Sequence, residues 1–182
     1  MAYALQLTFD PDTDAMVRGL WRRFAQMHMT HHLSESANRP HVTLAVYAEL
    51  DLVLAESTLS HLARCHGRLP LTFSHIGCFV RPSAVAFLAP IVTVDLLSLH
   101  RRACETFAKV GREPVGLYVP GQWVPHCTIA MHMEDRVLPE VIEVGQEIHL
   151  PWTGFVTGVA VVEVSPTVPL FAADLDGRGS SD

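Results

Sequence analysis

Lysine is almost missing from this chain. Lys109 is the only one; the 13 basic residues are otherwise arginines, and the formal net charge over 182 residues is -6. Long nucleic acids are gripped by dense basic faces. A chain this acidic is not expected to present an extended one, although it can hold a small phosphate ester at a single point. Cysteine is sparse and scattered: Cys65, Cys78, Cys104 and Cys127 form no C-x-x-C pair. The first ten residues, MAYALQLTFD, lack the basic start of a secretory signal. Reduced thiols in a cytosolic protein are therefore expected, most of them as small core residues. Long apolar runs are also lacking. The stretch from Ala84 to Leu97 is interrupted by Pro90 and Asp95, and it falls short of the roughly 20 residues that cross a bilayer. No membrane partner is expected. There is no glycine-rich nucleotide loop, no acid pair and no HExxH motif. His28, His31 and His32 cluster, but no second cluster at ligand spacing accompanies them, so a solvated loop is expected rather than a metal site or any cofactor.

Apolar, glycine and proline contents are ordinary, and the length suits one domain with a sizeable core. We expect one domain over 1–175, a polar tail over 176–182, and a monomer.

The informative feature is a repeat. Pro40-His41-Val42-Thr43-Leu44-Ala45-Val46-Tyr47 returns 85 positions later as Pro125-His126-Cys127-Thr128-Ile129-Ala130-Met131-His132. A single His-x-Thr is weak, because short motifs arise by chance. Two matched copies at one offset are an internal repeat, and they sit inside a repeat of elements. Residues 3–9 alternate as a strand. Asp12 or Asp14 can cap a following helix with Met16, Val17, Leu20, Trp21, Phe24 and Met27 on one face. A polar loop over 29–39 leads into the first motif strand, and Asp51 opens a helix that Gly67 ends. After a strand over 71–80 with an irregularity at Gly77, the order recurs. A strand covers 84–88. A helix covers 95–109, with Leu96, Leu97, His100, Cys104 and Phe107 inward. A Gly/Pro loop spans 111–122, the second motif strand follows, and a helix covers about 138–146. Strands over 155–164 and 170–173 close the chain.

In a strand, residues two apart share a face. His41 and Thr43 therefore face one way, as do His126 and Thr128, while Val42, Leu44, Cys127 and Ile129 back them with apolar surface. Across a cleft, the four polar side chains suit phosphoester chemistry. A neutral imidazole can take a proton from water, and an imidazolium can give one to a leaving oxygen near neutral pH. Threonine hydroxyls can donate to non-bridging phosphate oxygens as charge develops there. This arrangement requires no metal.

The pair Arg39-Pro-His-Val-Thr-Leu-Ala and Trp123-Val-Pro-His-Cys-Thr-Ile-Ala resembles the tandem motifs of the 2H phosphoesterase superfamily, which includes the proteins called 2′-5′ RNA ligases and the cyclic phosphodiesterases. The order of elements is similar over nearly the whole chain. The resemblance implies a bilobal α+β fold, with two pseudo-symmetric lobes whose antiparallel sheets line a central cleft. It implies metal-independent hydrolysis of a 2′,3′-cyclic phosphate on a small nucleotide or RNA terminus, usually to a 2′-phosphate. His41, Thr43, His126 and Thr128 carry over as the functional four, His126 activating water and His41 protonating the leaving oxygen. Alternatives are a 2′-5′ RNA ligase or RNA end-processing enzyme, and a nucleotide-binding module without turnover.

Four further residues are candidates for substrate contact. Alternation carries Tyr47 and His132 to the faces of their motif pairs, where they shape one end of the cleft or merely end a strand at the surface. Tyr118 and Trp123 precede the second motif. Aromatics there can stack on a base, and Trp123 can equally plug the core. Arg81 is expected at the surface, near a carboxylate or a phosphate.

Overall fold

The computed structural model describes residues 2–80 and 82–177. Arg81 and most of the polar tail lie outside the described residues. Among these residues eight strands and five α-helices follow one another as β1 (Ala2–Phe9), α1 (Pro11–Gln26), α2 (His32–Glu35), β2 (His41–Leu50), α3 (Leu52–Arg64), β3 (Leu69–Phe79), β4 (Val85–Pro90), α4 (Val94–Phe107), β5 (Gly111–Pro114), β6 (Cys127–Ala130), α5 (Leu138–Gly145), β7 (Trp152–Val164) and β8 (Val168–Asp174). The α+β class and the duplicated order of elements stand. Among the described residues, no helix is long and apolar enough to cross a membrane.

The strands form one antiparallel sheet in the order β5-β2-β1-β7-β3-β4-β6, with β8 also pairing β7. The lobes therefore share a sheet that is continuous through β7 and β3. About that centre β2-β1-β7 mirrors β6-β4-β3, which puts the two motif strands at matched positions. The helices cross over. Trp21 of α1, in the first half of the chain, reaches β6. α4, in the second half, packs against β2 and α3. Each lobe thus borrows a helix from the other half of the sequence, and neither sequence repeat is a self-contained lobe.

Local differences from the sequence reading have plain causes. The first helix is capped by Asp10, one residue before Pro11, and not by Asp12 or Asp14. The Asp10 carboxylate accepts the backbone N–H groups of Asp12 and Thr13 and the hydroxyl of Thr13, a cap worth about 1 kcal/mol. The loop over 29–39 contains the single turn α2. Thr93 caps α4, and its buried stripe is Leu96, Leu99, His100, Ala103 and Phe107. Leu97 is one residue, or 100°, off that stripe and is 47% exposed. The irregularity of β3 falls between Phe73 and His75. Gly77 has another use: a Cβ there would sit 2.5 Å from the ring of Phe87, so glycine lets that ring lie flat on the sheet.

Candidate active site

Both motif strands fold with the same defect. In the first, Thr8 pairs with His41, Gln6 with Thr43 and Leu5 with Ala45, leaving Leu44 unmatched. In the second, Leu88 pairs with Cys127, Phe87 with Thr128 and Ala86 with Ala130, leaving Ile129 unmatched. A β-bulge thus follows the threonine in each copy. Leu44 and Ile129, wholly buried, anchor the two bulges in the core.

Both histidines are oriented alike. The Nδ1 atom of His41 lies 2.6 Å from the carbonyl oxygen of Arg39, and that of His126 lies 2.7 Å from the carbonyl of Val124. A carbonyl only accepts, so Nδ1 carries the proton in each ring, and the neutral imidazole keeps its lone pair on Nε2. Burial holds both imidazoles below the usual histidine pKa, against the pull of those carbonyls, and the charge of His126 lowers His41 further. The two rings therefore sense each other, although β2 and β6 stand near opposite ends of the sheet order. Cys127, between His126 and Thr128, lies close to the backbone of His41. Burial pushes its thiol up to about 12, with that backbone drawing it partly back. The sheet curls far enough to bring the two motifs face to face.

The carbonyls of the two threonines are also matched. The indole N–H of Trp123 donates to Thr43 O at 2.9 Å, and that of Trp21 donates to Thr128 O at 3.2 Å.

The side chains around the motifs differ. His126 packs against Phe79, edge-on at 5.1 Å between centroids, and Phe87 at 5.4 Å. His41 has Thr8 as its cross-strand neighbour, with Gln6 beside Thr43, and both of these polar residues are buried.

The four secondary candidates lie in different surroundings. The bulge at Leu44 reverses the alternation, so Tyr47 shares the face of Val42 rather than that of His41 and Thr43. It is 3% exposed, and burial pushes its hydroxyl up to about 12. It meets Tyr118 and Cys104 in a mostly apolar cavity of about 220 Å³ that none of the four motif residues lines. Trp123 is half-buried, with one ring face covered by His100, stacked at 3.9 Å and nearly parallel. β6 ends at Ala130, so alternation never reaches His132. That residue is exposed, has φ 53°, and its ring meets His32 at 4.3 Å. Among the described residues, no group of three or more His, Cys, Asp or Glu side chains is placed to hold a metal ion.

A family profile described as the 2′-5′ RNA ligase superfamily matches residues 13–165, most of the chain and both motifs. The chain belongs to this superfamily, the 2H phosphoesterases. Escherichia coli LigT, crystallised with 3′-AMP, superposes with a TM-score of 0.61 at 20% identity, covering 96% of this chain and 97% of that one. The protein TT0787 of Thermus thermophilus gives 0.61 at 17% identity, covering 98% and 100%. At these identities the likeness is one of fold. No curated protein matches by sequence.

Four further residues stand beside the motifs of this 2H phosphoesterase. Gln6 and Thr8 were visible as the polar positions of the alternating run Leu5-Gln6-Leu7-Thr8. Phe79 and Phe87 carried no such signal, because an aromatic residue in a strand is ordinary core material.

Proposed function

We propose that the protein is a phosphodiesterase that opens 2′,3′-cyclic phosphates of nucleotides or RNA ends by two-histidine acid/base catalysis. The observation that carries this reading is the matched pair of imidazoles, each fixed at Nδ1 by a backbone carbonyl, which leaves Nε2 as the atom that exchanges protons, with a threonine two residues on. His126 takes a proton from water at Nε2, and the resulting hydroxide attacks phosphorus. The P–O3′ bond breaks. His41, entering the step as imidazolium, gives its proton to O3′, leaving a 2′-phosphate and a free 3′-hydroxyl. The Thr43 and Thr128 hydroxyls donate to the non-bridging oxygens, where negative charge grows. The aromatic walls favour a neutral His126, as a base requires.

A nucleotide-sized ligand is supported by the relatives: E. coli LigT has been crystallised with 3′-AMP, with NADP+ and with ATP. The chemistry as written uses no metal. The test is a panel of 2′,3′-cyclic mononucleotides, ADP-ribose 1″,2″-cyclic phosphate and 2′-5′ oligonucleotides, assayed with a chelator against wild type and His126→Ala. Turnover of a cyclic phosphate that survives chelator and is lost in the variant supports the reading. Turnover confined to 2′-5′ linkages would assign the RNA ligase or end-processing reaction, and nucleotide binding without any turnover would leave a binding module.

A further inference from the structure

Among the described residues, the edge of β2 that faces away from β1 has no strand neighbour until Tyr47, where β5 begins to pair, and β6 has only β4 beside it. Each motif strand therefore exposes backbone carbonyls on one edge, at and just beyond its bulge. An unpaired buried carbonyl is costly, and the fold satisfies these four in a matched way. Thr43 O accepts from the indole of Trp123, and Val46 O, three residues on, accepts from the backbone N–H of Val115 at 2.9 Å. Thr128 O accepts from the indole of Trp21, and Met131 O, again three residues on, accepts from the hydroxyl of Thr30 at 2.7 Å. The donors are exchanged between halves. Residues 115 and 123 follow α4 yet serve the first motif, and residues 21 and 30 belong to or follow α1 yet serve the second.

Each indole is itself backed by a planar nitrogenous group. His100, 2% exposed, stacks flat on Trp123 and donates from Nε2 to Tyr118 O at 2.9 Å. The Arg18 guanidinium lies over the Trp21 ring, 5.7 Å from its centroid, and pairs with Asp14. The peptide held by the indole is the one between the threonine and the bulge residue, so its tilt sets the direction of the threonine Cα–Cβ bond.

We infer that Trp21 and Trp123 are positioning residues, each aiming the threonine hydroxyl of the opposite half-site at the phosphate through a hydrogen bond to that threonine's carbonyl. The inference rests on the proposed phosphodiester reading, deepens it, and is separable from it. A strut of this kind acts on the charge that develops in the reaction, so its loss lowers kcat more than it raises KM.

The test removes the indole N–H and keeps an aromatic ring, with Trp21→Phe and Trp123→Phe assayed on 2′,3′-cyclic AMP below the melting temperature of each variant. The expected result is a fall in kcat of about 5- to 10-fold for each, the scale of one lost hydrogen bond, with KM moving less than about 2-fold. Coupling is the deciding readout. In a Thr128→Ala background Trp21→Phe is expected to have no further effect on kcat while Trp123→Phe keeps its own, and in Thr43→Ala the pattern reverses. A purely structural tryptophan would lower stability and leave kcat of the folded variant unchanged; that result, or equal effects in both backgrounds, overturns the inference. If Trp21→Phe does not fold, benzothienylalanine at position 21 keeps the bicycle and removes only the N–H. If wild type turns over no cyclic phosphate, the functional reading has failed by itself. The struts are then judged by calorimetry on 2′-AMP, whose phosphate monoester carries the second negative charge that a cyclic diester lacks and so presents to the threonines the kind of charge the reaction develops; each Phe variant is expected to bind it several-fold more weakly, and unchanged affinity in both overturns them.

Discussion

The two half-sites share a backbone and differ in what surrounds it. Each has a histidine pinned through Nδ1 to the carbonyl two residues back, a threonine two residues on, a bulge at the next position, and an indole on the threonine carbonyl. Around that common frame, the first half-site is lined by Thr8 and Gln6 and the second by Phe79 and Phe87. In the proposed reaction, matched geometry lets both histidines act on one substrate from opposite sides, and unmatched surroundings are what would divide acid from base. Burial lowers the pKa of both rings, and the charge of His126 lowers His41 further, so the surroundings of each ring bear on when it can hold a proton. A duplicated motif can therefore become an acid–base pair through changes in neighbouring strands, with the motif itself untouched.

Removing either imidazole is the hardest blow to this comparison. His41→Ala and His126→Ala are each expected to lower kcat/KM for a 2′,3′-cyclic nucleotide by about 10³-fold or more, because proton transfer is lost on one side of the reaction. The double variant should fall little below the worse single one, since the two act as a unit. Steady-state kinetics on the three variants checks both points. Thr43→Val and Thr128→Val remove one donor to the growing phosphate charge, and each is expected to cost about 10²-fold in kcat. Similar losses at the two threonines would show that the halves are equivalent where their frames match.

Phe87→Ala sharpens the contrast where the halves differ. Burial is the main cause that lowers the pKa of His126, so opening its wall should raise that pKa toward the ordinary value of about 6.5. The rising, acid-side limb of the pH–rate profile, which reports the base, should move to higher pH. The imidazole resonances of His126 followed by NMR across pH should move with it, while those of His41 should stay nearly in place.

The smallest expected effect concerns stability. Burial depresses His41, His126 and His100 in the folded chain, so as pH falls through about 6.5 the unfolded chain takes up protons first. Folded stability is then expected to drop as pH decreases, with the full contribution present above that pH. His100, stacked behind Trp123, has no histidine counterpart behind Trp21. His100→Phe should flatten the pH dependence of the melting temperature and leave the second half-site undisturbed.

Much of this was legible in the residues. The repeated octapeptide, the amphipathic stripe of α1 and the cap at Asp51 are local signals, read from spacing alone. The bulges are not local. Leu44 and Ile129 look like any apolar strand residue, and their mismatch exists only against β1 and β4, so plain alternation misplaced Tyr47. His132 was misplaced for a different reason: its strand stops two residues earlier. The indole struts join residues 80 and 107 positions apart, and no periodicity reports such a pairing. Leu97 is off by one position and the cap at Asp10 by two or four, which a 100° turn and a proline at the first helical position are enough to cause.

The measurement that reaches the central claim most directly is the pH–rate profile for 2′,3′-cyclic AMP hydrolysis with chelator present, in wild type and in each single histidine variant. Two histidines in opposite roles predict a bell for wild type, and loss of a different limb from the residual rate of each variant. A flat wild-type profile, or either variant retaining the full rate, would contradict it.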